Sequence, residues 1–152
     1  MQEKRIRLKN GLSLDYTESG EGVPVVLLHG LTDSKRSYDP VLPLLPRGVR
    51  ALAITQRGHG GSDKPDAAYD PATMADDVAD FVDALGIERA WIVGHSMGAA
   101  VASVFAANHA ARTQGLVLIG AFHDPRANDD VHGLIAAIEA FGDEIPESFA
   151  RE

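Results

Sequence analysis

Ala90-Trp91-Ile92-Val93-Gly94-His95-Ser96-Met97-Gly98-Ala99-Ala100 is the stretch on which the fold turns. An apolar run leads straight into Gly-x-Ser-x-Gly, and small side chains follow at once. An apolar run without alternation suits a strand covered on both faces. Met97 to His109 has the composition of a slim helix. A serine set between strand and helix with no loop on either side forces a sharp turn. Such a turn holds its central residue in a strained conformation and leaves no room for side chains beside it. Gly94 and Gly98 supply that room.

The turn also bears on chemistry. A serine hydroxyl is a poor nucleophile until a base takes its proton and donors stabilise the oxyanion that forms. Ser96 is therefore the candidate nucleophile. The helix that follows presents free N–H groups and the positive end of its dipole toward the reacting atom. The backbone N–H of Met97 is a candidate oxyanion donor.

Moving toward the N-terminus, Val25-Val26-Leu27-Leu28 is a second uninterrupted apolar run, closed by His29-Gly30. In a parallel sheet the carboxyl ends of neighbouring strands converge on one crevice, so this turn should meet Ser96. The backbone N–H of Leu31 becomes the second oxyanion donor. His29 is read as a buried imidazole that orders the turn. Val49 to Ile54 forms the next buried strand, and the polar loop from Thr55 to Ala68 follows it. Tyr38 to Leu45 is a short helical candidate between these strands.

Asp70-Pro71 opens the clearest helix, with Asp70 capping the free amides and Pro71 in the first turn, where it needs no N–H. Met74, Val78, Phe81, Val82 and Leu85 fall at three- and four-residue spacings and give one apolar face. Lys4 to Leu8 and Leu12 to Tyr16 alternate around Asn10-Gly11, a strong hairpin signal. Leu116 to Ile119 is a further strand. Strands alternating with helices after an initial hairpin predict an α/β fold whose sheet is mostly parallel, with an N-terminal antiparallel hairpin.

The chain has 152 residues, 45% of them hydrophobic, enough for a real core. It has no cysteine, which excludes thiol catalysis and thiolate metal sites. A net charge of −8 disfavours nucleic-acid partners unless a basic patch exists. The densest basic segment, Lys4 to Lys9, alternates and is read as a solvated strand face. The histidines show no metal-ligand spacing, so neither metal nor cofactor is expected. No leader and no bilayer-length apolar run is visible, so no membrane partner is expected and a cytoplasmic location is the default.

Taken with their order, three motifs carry a family resemblance: His29-Gly30, then Arg57-Gly58-His59-Gly60-Gly61-Ser62-Asp63-Lys64-Pro65, then Gly94-His95-Ser96-Met97-Gly98. The chain resembles the N-terminal half of the α/β-hydrolase superfamily, in the branch of small esterases and cofactor-free haloperoxidase-like proteins. Members usually carry aspartate two places before the arginine of the second motif. Thr55 stands there, followed by Gln56, so a loop-bracing contact is expected to be replaced. Relatives that open epoxides or cleave carbon–halogen bonds use aspartate in place of Ser96. The serine implies acyl transfer on esters, thioesters or lactones, or peracid formation, and Leu31, Met97, Phe122 and Trp91 as candidates for an apolar pocket point to a medium, uncharged acyl substrate.

The resemblance also implies what is missing. Members place the histidine base and the acid after a helical cap, beyond the last strands. By this reading residues 1–127 form part of the core and 128–152 open an incomplete cap, so the fold is truncated in the cap region. The sheet would lack its last strands, and Leu116 to Ile119 would be an unprotected edge. Within the chain, Asp124 is the candidate acid and His123 the candidate base. The favoured arrangement puts the base and acid on a second polypeptide. The alternatives are a shortened enzyme that uses His123 and Asp124 and closes its edge as a homodimer, or a non-catalytic remnant that serves binding or assembly.

Overall fold

The computed structural model describes residues 1–121 and, beyond them, His132, Gly133, Ala136 and Ala140. The chain forms two compact units, Met1–Ala121 and Phe122–Glu152. In the second unit the described residues are helical and exposed. The expected boundary between residues 127 and 128 lies outside the described residues.

The first unit is built on a sheet of six strands: β1 (Gln2–Arg7), β2 (Ser13–Ser19), β3 (Gly22–Leu28), β4 (Gly48–Ile54), β5 (Ala90–His95) and β6 (Thr113–Ile119). Their spatial order is β1-β2-β4-β3-β5-β6. β1 and β2 form the expected hairpin, and β2 also runs antiparallel to β4. β4, β3, β5 and β6 are mutually parallel. The order reverses at β3: the chain leaves it for β4 on one side and reaches β5 on the other. Open α/β sheets bind ligands at such a switch point, outside the carboxyl ends of the strands.

Two helices cover one face. α1 (Pro71–Ala84) begins as its sequence indicates, with the Asp70 side chain accepting from the backbone N–H groups of Ala72 and Thr73. α2 (Met97–Asn108) starts directly after Ser96. Met74, Val78, Phe81 and Val82 of α1 pack with Val101, Ala102 and Phe105 of α2 over Val26, Leu28, Leu52, Ile54 and Ile92 of the sheet. The opposite face carries a smaller cluster of Leu27, Tyr38, Leu42, Ala51 and Ala53.

That smaller cluster corrects one expectation. Tyr38 to Leu45 is not a helix; the chain makes 3-10 turns at Lys35–Tyr38 and Leu42–Leu44. Pro40, Pro43 and Pro46 explain it, because each lacks the N–H that a longer helix would need and crowds the preceding turn.

The basic strand face is paired within the molecule. Lys4 contacts Glu18, Arg5 contacts Asp15 and Asp63, and Lys9 contacts Asp80. Among the described residues no helix is long and apolar enough to cross a membrane.

Candidate active site

The site lies where the turns after β3 and β5 meet. Ser96 has φ 51° and ψ −116°, in the left-handed half of backbone space that L-residues avoid. Among the described residues the only other non-glycine with positive φ is Thr32, at 64°, in the turn after β3. A β-branched residue there is a true outlier. Strain of this kind persists only when the surroundings over-determine it, and it concentrates at functional sites.

Close packing enforces the Ser96 turn. A Cβ on Gly94 would strike the carbonyl of Gly98, and a Cβ on Gly98 would strike the carbonyls of Leu28 and His29. The start of α2 therefore rests against the end of β3 with only hydrogens between. Gly30 completes the junction: a Cβ there would lie 3.4 Å from Ser96 Cβ and 3.2 Å from His95 Nδ1. The two turns expected to meet do meet. Ser96 and Met97 are half-buried and Leu31 is exposed.

The candidate donors are available. Met97 opens α2, where first-turn N–H groups have no partner within the helix. Among the described residues, no protein acceptor takes a hydrogen bond from the N–H of Leu31 or of Met97.

His29 is fully buried and structural, as read from the sequence. Its Nδ1 lies 2.7 Å from Gly30 O, and its Nε2 accepts from the backbone N–H of Gln56 at 3.0 Å. Burial pushes its pKa down to about 4, so the ring is neutral at ordinary pH. His59 packs edge-on against it at 5.0 Å and braces its own loop through Arg57 O. Tyr38 donates to the carbonyl of Leu28 at 2.8 Å, steadying the end of β3. Burial raises the Tyr38 pKa to about 12, which keeps that donor protonated.

The replaced loop contact is found at Thr55, whose Oγ1 accepts from the Lys35 N–H at 3.2 Å. Gln56 reaches back toward His29. Arg57 lies buried against Asp77 of α1 through two hydrogen bonds, at 2.5 and 2.7 Å, and donates to Ala68 O at 2.9 Å. Asp77 does not stand out in the sequence, and Gln56 does so only as a departure from the family motif. Asp77 falls on the buried side of an amphipathic helix, and Arg57 together with Asn10, whose Nδ2 donates to Asp77 Oδ1 at 2.9 Å, makes an acid there tolerable.

Of the other histidines, His95 is exposed, His109 binds Asp76 between the helices at 3.1 Å, and His132 is exposed in the second unit. His123 and Asp124 lie outside the described residues, as does Phe122. Among the described residues no cluster of His, Asp and Glu is placed to hold a metal. Among the described residues two clefts lie away from Ser96, one of about 660 Å³ lined by Leu42, Pro46 and Val49 and another of about 570 Å³ lined by Leu12, Arg57 and Lys64.

With strand, strained serine and helix in this relation, the comparison with known proteins agrees with the motif reading. Residues 23–150 match the family model described as the alpha/beta hydrolase fold, and the chain belongs to that family. It is 34% identical to a soluble epoxide hydrolase of Corynebacterium sp. over 132 residues, covering 87% of this chain and 43% of that protein. It is 33% identical to 2-(acetamidomethylene)succinate hydrolase of Mesorhizobium japonicum over 71% of this chain and 39% of that one. The crystal structure of a bacterial membrane phospholipase A superposes with a TM-score of 0.72 and 33% identity, over 77% of this chain and 38% of the other. The chain thus spans about two-fifths of the length of these relatives.

Proposed function

We propose that this chain is the nucleophile-bearing part of a serine hydrolase acting on carboxylic esters or related acyl compounds, completed by a second half that supplies histidine and acid. The observation that carries the reading is the backbone of Ser96: a strained seryl residue between β5 and α2, with the Gly30 turn packed against it.

In the proposed reaction Ser96 Oγ attacks the acyl carbon and its proton passes to the base. The carbonyl electron pair moves onto oxygen, where the N–H groups of Leu31 and Met97 receive it. The tetrahedral intermediate collapses, the leaving alcohol takes the proton, and water then hydrolyses the acyl-serine. The same chemistry separates this chain from its epoxide-hydrolase relatives. Attack by a serine on an epoxide carbon leaves an ether, with no carbonyl for water to enter, whereas an acyl-serine has one.

The partner belongs at β6. Among the described residues it is the margin of the parallel part of the sheet, and Leu116, Val117, Leu118 and Ile119 are exposed along it. A half-molecule carrying further strands would cover this edge and bring its base to the carboxyl ends of the strands.

A fluorophosphonate probe tests the nucleophile: labelling of Ser96 well above the rate of free serine is expected, and Ser96→Ala abolishes it. Labelling no faster than free serine with the second half present overturns the reading. Intact-mass analysis of the purified sample should show a second polypeptide; its absence rejects the two-chain form. In that event p-nitrophenyl acetate turnover that disappears in His123→Ala would place the base within this chain.

A further inference from the structure

The turn after β3 is held from the neighbouring strand by hydrogen bonds that converge on His29. The backbone N–H of Gln56 donates to His29 Nε2 at 3.0 Å, and Gln56 Nε2 donates to the His29 carbonyl at 2.8 Å. A backbone N–H can only donate, so His29 Nε2 is the acceptor and the ring proton resides on Nδ1. That Nδ1–H donates to Gly30 O at 2.7 Å. In a planar trans peptide the C=O and the following N–H point in opposite directions. Holding Gly30 O toward the imidazole therefore turns the Leu31 N–H to the far side of the same plane.

We propose that Gln56 is a positioning residue for the Leu31 amide: by gripping His29 at both ring and carbonyl, it fixes the Gly30–Leu31 peptide plane beside Ser96. The inference rests on the reading of Leu31 as an oxyanion donor and adds the device that aims it.

Gln56 itself argues for this role. Its side chain is 3% exposed, and its Oε1 is buried without a partner among the described residues. An orphan acceptor is costly, and a leucine of similar size would avoid the cost. Turning the amide over would set its oxygen against the His29 carbonyl, so the donor end must face that way. What the site retains is thus one N–H aimed at His29. The need for a grip is plain one residue beyond Leu31, where Thr32 holds its unfavourable φ of 64°. Burial of His29 keeps the ring neutral, which preserves the acceptor that Gln56 requires.

The test is spectroscopic and does not depend on turnover. In isotope-labelled wild-type chain, the ring nitrogens should report His29 as the Nδ1–H tautomer, and the Leu31 amide proton should show a cross-relaxation peak to the Ser96 side chain. Either the other tautomer or no such peak in the wild type overturns the proposal. Gln56→Glu places an oxygen where Nε2 stood, and Gln56→Leu removes the donor. Both should lose the Leu31–Ser96 peak while the β3–β5 backbone peaks persist. A residue that merely stabilised the fold would lower the unfolding midpoint and keep the peak, and that result also overturns the proposal.

Ser96 phosphonylation is measured alongside and should slow about a hundredfold in both variants, the lower limit for loss of one oxyanion donor. Loss of the peak with an unchanged labelling rate confirms Gln56 as the positioning residue and instead rejects Leu31 as a donor.

Discussion

β4 lies between β2 and β3 and contributes to the clusters on both faces of the sheet; β6 has β5 on one side and stands at the margin. Ala51, Leu52, Ala53 and Ile54 are 0% exposed, whereas Leu116, Val117, Leu118 and Ile119 are 37, 40, 42 and 48% exposed. The two runs are alike in composition and length, and either could be an inner strand of a parallel sheet. What separates them is supplied from elsewhere. β4 has α1 and α2 beyond one face and the proline-rich turns on the other. An uninterrupted apolar run therefore specifies a demand for two-sided cover, and other parts of the polypeptide decide whether it is met.

The contrast can be broken most sharply on the covered side. Arg57→Ala leaves the buried Asp77 carboxylate without its counter-charge, only the Asn10 amide still bonded to it, and is expected to cost about 3–5 kcal/mol, read from a urea titration. Leu52→Ala should cost about 2–5 kcal/mol by the same measurement, because the cavity lies where nothing can relax into it. At the margin, Leu118→Ala should cost no more than about 1 kcal/mol, since half of that side chain's burial is already absent. Equal losses at Leu52 and Leu118 would mean that β6 is covered after all.

Titration sharpens the comparison through His29, which sits at the covered end of β3. Its pKa is lowered from 6.5 to about 4. The unfolded chain therefore binds the proton more readily, and stability is fully present above about pH 6.5 and falls as pH drops toward 4. By linkage the loss reaches about 3 kcal/mol. Urea titrations across this range should show the slope in wild type, and His29→Asn should remove it. The cap of α1 gives an effect as small as that at Leu118: Asp70→Ala is expected to cost about 1 kcal/mol, again by urea titration.

Much of this arrangement is legible in the sequence because it is local. The hairpin at Asn10-Gly11, the Asp70-Pro71 start of α1 and the Gly-x-Ser-x-Gly turn each depend on residues within a few positions of one another. Convergence of His29-Gly30 with Ser96 is also legible, since parallel strands leave little choice about where their carboxyl ends meet. The Tyr38 to Leu45 segment misleads because its apolar spacing suits a helix while its prolines forbid one. The burial of Asp77, Asp80 and Gln56 is unreadable for a different reason. Each is a polar residue whose burial is made acceptable by a partner distant in sequence: Arg57, Lys9 and His29.

Trp91 gives this chain an optical readout of its own margin. It is the sole tryptophan, 38% exposed, and its indole lies against Gly115 of β6, where any Cβ would collide with the ring. An indole in that position reports the polarity just outside β6. Its emission should move to shorter wavelength when a partner seats along β6 and stay put when ligand enters at Ser96. A binding curve for the proposed second half could then be recorded on the native protein, with no label attached.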